Sequence, residues 1–189
     1  MFLRISAGDV FVKMVRGILE NAAKVIIGIR ELAQYEKMKL SKNLSLGEAI
    51  KSATAIKHGI NNQPSGEHLS NLIQIANKVF QPLRDHFGKP IAVTSGYRSE
   101  ALNDLIGGSS SSQHCKGEAL DLDADVFGGL ENWEIFEFIK NNLEFDQLIW
   151  EFGSDENPDW VHVSYKSDNN RGEILEAFRE DKKIKYARL

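Results

Sequence analysis

Between positions 69 and 87 the apolar residues return every three or four steps: Leu69, Leu72, Ile73, Ala76, Val79, Phe80, Leu83 and Phe87. That spacing gathers them on one helix face and predicts about five turns closed by Gly88. Pro82 lies inside the run and predicts a bend or an early end. Upstream, Ser45-Leu46-Gly47-Glu48 reads as a capping box and predicts a short helix to about Lys57. Residues 59–66 are rich in turn formers. Past Gly88 the texture becomes strand-like. Residues 91–95, 118–123, 145–152 and 160–165 are predicted strands. Residues 99–106 and 130–142 are predicted helices, the second with Trp133, Phe136 and Ile139 inward. Residues 174–178 and 184–186 fit either a closing hairpin or a helix with a tail. The mixture predicts an α+β fold: a small antiparallel sheet with helices packed on one side.

The first 42 residues stand apart. Positions 15–39 predict an amphipathic helix that ends in the basic cluster Lys37, Lys39 and Lys42. The expected organisation is therefore an N-terminal helical extension, 1–42, and a chemistry-bearing domain, 43–189. An appendage, an interaction segment and a translated upstream stretch remain open as readings of the extension.

Composition narrows the class. With 42% hydrophobic residues in 189, a sizeable core is expected. The net charge of −4 argues against a nucleic-acid partner, which calls for a basic face. A single cysteine, Cys115, excludes an intrachain disulfide. The chain lacks a run of about 18 apolar residues, so no membrane span is expected. Val25-Ile26-Ile27-Gly28-Ile29 is apolar, but Glu20 and Lys24 interrupt the region and it makes a poor signal peptide.

Three residues carry the candidate chemistry: His114, Asp121 and His162. Two imidazoles and one carboxylate are a three-ligand set for catalytic zinc, with the fourth corner left for water. Period two in Ala119-Leu120-Asp121-Leu122-Asp123 sends both leucines to the core and both aspartates into a cleft. Paired carboxylates there repel unless a cation intervenes. Gly117 lets the chain reverse between His114 and the strand. Asp159, three residues before His162, is the expected general base, with Glu156 and Glu151 as alternatives. Strand parity turns Asp159 away from His162 unless Pro158 breaks the regularity. Arg98 follows a predicted strand and suits a carboxylate or an oxyanion. His68 and His86 are 18 positions apart on one predicted helix, roughly 27 Å, and cannot share an ion. His58 stands alone near a turn. Cys115 is expected to point away from its neighbour His114.

These motifs, in this order, resemble a known family. Thr94-Ser95-Gly96-Tyr97-Arg98-Ser99 is followed by Gly107-Gly108-Ser109, then by Ser112-Gln113-His114-x-x-Gly117-x-Ala119-x-Asp121, and last by Asp159-x-x-His162-Val163. Together they look like the zinc D-alanyl-D-alanine carboxypeptidases and L-alanyl-D-glutamate endolysins, related in fold to the hedgehog signalling domain. The resemblance covers about residues 44–186. Leu46-Gly47-Glu48 and Gln81-Pro82-Leu83-Arg84 resemble the phage and prophage subgroup. The resemblance implies zinc on His114, Asp121 and His162, with Asp159 as base where many members have glutamate. It also implies Arg98 as carbonyl polariser or substrate anchor, with Tyr97, Ser112 and Gln113 lining the site. The implied substrate is the stem peptide of bacterial cell-wall peptidoglycan. A silent zinc-containing wall-binding or phage structural module is the rival expectation.

Overall fold

The computed structural model describes residues 7–189, with side chains described from Met14 onward. The chain forms two compact units divided between Met38 and Lys39. The first contains one 30-residue helix, α1 (Ala7–Glu36). No helix among the described residues is long and apolar enough to cross a membrane.

The second unit is α+β. It opens with a hairpin, β1 (Lys39–Ser41) and β2 (Leu44–Ser45), then α2 (Leu46–Ile50) and α3 (Ala53–His58). Ser45 and Glu48 form the capping box that starts α2, each side chain meeting the other's backbone N–H. One helix was expected to run on to about Lys57. Ser52 instead caps a second helix, and Lys51 between them is extended.

The long apolar face forms α4 (Gly66–Ile75) and α5 (Gln81–Phe87), joined by a π-helical turn over Ala76–Phe80. Pro82 sits at the start of α5. Proline there removes a backbone donor and crowds the preceding turn, and a wider turn accommodates both effects. Leu72, Ile75, Ala76, Val79, Phe80 and Leu83 are all buried, so the apolar stripe continues through the turn. Gly88 ends α5 in the left-handed conformation.

Six strands follow, with helices between them: β3 (Ala92–Ser95), α6 (Glu100–Leu105), β4 (Ala119–Asp123), α7 (Asn132–Asn142), β5 (Gln147–Glu151), β6 (Trp160–Ser164), β7 (Glu173–Glu180) and β8 (Lys183–Arg188). The last two form the hairpin alternative of the sequence reading. Their order in the sheet is β3-β4-β6-β5-β7-β8. Every pairing is antiparallel except β5 with β7, so the expected antiparallel sheet contains one parallel pair. That pair arises because residues 165–172 cross the start of β5. Ser164 and Glu173 both pair with Gln147, one on each side.

The sheet has two chemically distinct faces. Leu120, Leu122, Leu148, Val161 and Val163 share one and are all 0% exposed. Phe136 of α7 stacks edge-on against Trp150 of the same face, ring centroids 5.1 Å apart. In α7, Ile135, Phe136 and Ile139 are buried, whereas Trp133, expected inward, is 45% exposed. The opposite face carries the register row Asp121–His162–Ile149–Leu175 across four strands. Candidate chemistry and core packing are thus separated by the two-residue period of the strands.

Candidate metal centre and its cleft

Asp121 and His162 are directly opposite each other on β4 and β6. His114 reaches them from a 3-10 turn, Gln113–Lys116, that precedes β4. Gly117 closes that turn at φ +71°, and a Cβ there would lie 2.2 Å from the His68 carbonyl oxygen. The glycine therefore lets the chain reverse here and the turn press against α4.

Three donor atoms converge. His114 Nε2 lies 3.2 Å from Asp121 Oδ1, His162 Nδ1 lies 2.8 Å from the same oxygen, and the two imidazole nitrogens are 3.3 Å apart. Donors around a tetrahedral zinc with bonds near 2.0–2.1 Å are separated by about 3.3 Å. The set therefore fits one such ion with little adjustment. It is the one group of three His, Cys, Asp or Glu donors suited to an ion among the described residues. His114 Nδ1 donates to the Gly96 carbonyl at 2.7 Å, which leaves Nε2 free to ligate.

The electrostatics agree with a cation site. Burial pushes the His114 pKa down, against the pull of the Asp121 charge, and so favours the neutral, ligating form. Burial alone would raise Asp121; charge and hydrogen bonds from His114 and His162 outweigh it and hold the carboxyl well below the usual range. Arg98 Nη2 lies 3.5 Å from the other Asp121 oxygen. Asp123 does not join this centre. It ends β4 beside Asn132 and Asp125, with Asn132 Nδ2 donating to it at 3.4 Å. The expected pair of cleft-facing carboxylates is a single one.

The centre lies in a cleft of about 830 Å³ over the polar face of the sheet. The loop 106–112 lines one wall, with Ser112 and Gln113 among its residues and Arg98 beside it. Tyr97 is absent from that lining. It is 7% exposed and its hydroxyl lies 3.4 Å from His68 Nδ1. It packs inward, its backbone N–H donating to the Ala49 carbonyl at 2.8 Å, and the substrate contact expected of it is not made in this cleft. Cys115, half-buried within the 3-10 turn, lies outside the cleft lining too.

Asp159, the expected base, also lies outside the cleft. It is exposed and immediately precedes β6, and its backbone N–H donates to the Glu151 carbonyl at 3.0 Å. Pairing so close to the strand preserves strand parity, and Pro158 does not swing the side chain back. Glu156 is exposed and outside the lining as well. Glu151 is inside it, 8% exposed. Glu151 pairs with Trp160, so it stands diagonally across from His162, roughly 7–8 Å between Cα atoms. Burial, and to a smaller degree the Asp121 charge, raises its pKa to about 7 against the opposing pull of His162 and Arg98. Phe152 follows at φ 56°, its ring 5.3 Å from Trp160 and under the Arg179 guanidinium at 4.2 Å.

Two further groups escaped the sequence reading. Tyr186 of β8 lines the cleft, and burial together with the Glu151 and Asp121 charges raises its pKa, so it is a hydroxyl donor at neutral pH. Arg171, in the loop before β7, lines the opposite end. The Asp146 carboxylate, 0% exposed, accepts from Arg171 Nε at 3.1 Å and Nη2 at 2.6 Å, from Lys166 at 2.9 Å and from Gln113 at 3.0 Å. Only tertiary structure joins these positions.

A family model described as Peptidase M15 matches residues 42–164, which is most of the second unit. No curated protein matches the chain. Among solved structures, the chain is similar to a mutant of the vancomycin resistance D,D-pentapeptidase VanY from a VanB-type resistance cassette, in complex with Zn(II). The two are 21% identical, with 49% of this chain and 71% of that chain covered and a TM-score of 0.34.

Proposed function

The chain belongs to the Peptidase M15 family, and we propose that it is a zinc-dependent hydrolase of peptide bonds in bacterial cell-wall peptidoglycan, of the D,D-carboxypeptidase or L-alanyl-D-glutamate endopeptidase type. One observation carries the reading: His114, Asp121 and His162 offer three donors around one point, inside a cleft that also holds Glu151 and Arg98. When bound, zinc supplies Lewis acidity, making water a nucleophile near neutral pH and polarising a peptide carbonyl.

The chain's own groups do the rest. Glu151 takes the proton from the attacking water and returns it to the leaving amine. A carboxylate raised to about 7 by burial is matched to both transfers at neutral pH. Arg98, beside Asp121, directs its remaining N–H groups at the oxygen that gains negative charge. The Gly96 carbonyl, accepting from the non-ligating Nδ1, holds the His114 imidazole in orientation. The half-exposed Trp160 and Tyr186 at the Glu151 end shield the reacting carbon from bulk water.

The test compares zinc-loaded native protein with Glu151→Gln on purified peptidoglycan, reading released fragments by mass spectrometry. The native protein should release peptides whose new termini name the bond. The variant should bind one zinc per chain and release fragments roughly 10²–10⁴-fold more slowly. Intact peptidoglycan after incubation with the native protein, with zinc bound, would identify a silent wall-binding module. Equal release by both proteins would remove Glu151 from the chemistry.

A further inference from the structure

Arg171 has no part in the hydrolysis described above, yet it lines the same cleft. Glu151 ends β5, and Asp146, which holds Arg171, immediately precedes its first residue, so the two groups mark opposite ends of that strand. Arg171 is pinned on one edge. Its Nε and Nη2 meet Asp146, and its Nη1 lies 3.0 Å from Glu173. An arginine has five N–H donors, so two remain for a ligand. The side chain is 48% exposed, although its partner Asp146 is fully buried.

The local charge favours an anion. One buried carboxylate, Asp146, faces two cations, Arg171 and Lys166. The second carboxylate, Glu173, is shared between Arg171 and Arg188. Arg171 is the cation of this cluster that lines the cleft, with Glu173 beside it and Glu151 at the other end. Gln113, the residue before the ligand His114, donates to the same Asp146, so this end of the cleft and the metal centre hang on one buried group.

We propose that Arg171 is a specificity-determining residue that receives a free carboxylate of the peptide substrate, two to three residues from the scissile bond. The spacing follows from the strand. Asp146 precedes Ile149, the register partner of His162, by three positions, about 10 Å at ~3.3 Å per residue. An extended peptide rises by a similar step, so two to three of its residues span the gap. This inference rests on the hydrolase reading.

The experiment uses the full zinc-loaded chain and pairs of synthetic stem peptides. Members of a pair differ only in whether the carboxylate two or three residues from the cleaved bond is free or amidated. With native protein, amidation should raise KM roughly tenfold, the worth of one charge-assisted pair, and leave kcat within about twofold. With Arg171→Gln the two peptides should show equal KM; Arg171→Lys should fall between. The native comparison needs no variant, so a folding defect leaves it intact. Equal KM for both peptides with native protein would overturn the proposal, as would a penalty that persists in Arg171→Gln. Cleavage of neither peptide would overturn the hydrolase reading itself, and this inference with it.

Discussion

Asp146→Asn removes the charge on which the crossing loop 165–172 is anchored. The native carboxyl is held at about 2 against an ordinary 3.8: burial pushes it up, and the hydrogen bonds from Arg171 and Lys166 outweigh that push. A displacement of this size corresponds to about 2 kcal/mol of folding stability. Arg171 and Lys166 are 48% and 29% exposed, so solvent screening makes that an upper figure. The variant should melt roughly 4–8 °C lower at pH 7. A carboxyl depressed by folding contributes fully above its unfolded pKa, and the contribution is lost as pH falls through the folded value. The stability gap between native and variant should therefore be constant above about pH 4 and close between pH 4 and pH 2. Urea unfolding with chelator present, so that metal binding does not enter, measures it. A gap under about 0.5 kcal/mol at pH 7, or one that survives at pH 2, would refute the clamp.

Glu151→Gln should lower kcat by roughly 10²–10⁴-fold with zinc retained, and Asp159→Asn should leave kcat within about twofold, both read by fragment release. Gly117→Ala forces a side chain into φ +71° and against the His68 carbonyl. It should cost more than about 2 kcal/mol in denaturant and weaken zinc binding in a chelator titration, because His114 rides on that turn. Arg98→Lys keeps a charge but loses the fork, and steady-state kinetics should show kcat down roughly 10²-fold with zinc content unchanged.

What the sequence made legible follows from period and chain proximity. Asp121 between Leu120 and Leu122 needs only strand parity, and the structure puts those leucines in the core and the carboxylate in the cleft. The capping box at Ser45 and Glu48 is local and forms as read. Glu151 was harder, because Leu148, Ile149 and Trp150 are all apolar and do not reveal which face of β5 is core. Register with β6 decides it. Asp159 was favoured by its distance in sequence from His162, whereas its pairing beside Glu151 keeps it outside the cleft. The β7–β8 hairpin stayed ambiguous because Glu, Arg and Lys interrupt both apolar alternations, and an edge hairpin tolerates that. Arg171, Asp146 and Gln113 meet only through a loop crossing, which no local pattern encodes.

The most direct measurement is anomalous scattering at the zinc edge from crystals of the native chain. One peak per chain, about 2.0–2.2 Å from His114 Nε2, Asp121 Oδ1 and His162 Nδ1 together, is the expected result. A peak elsewhere, or none in protein grown with zinc, would contradict the assignment on which the hydrolase depends.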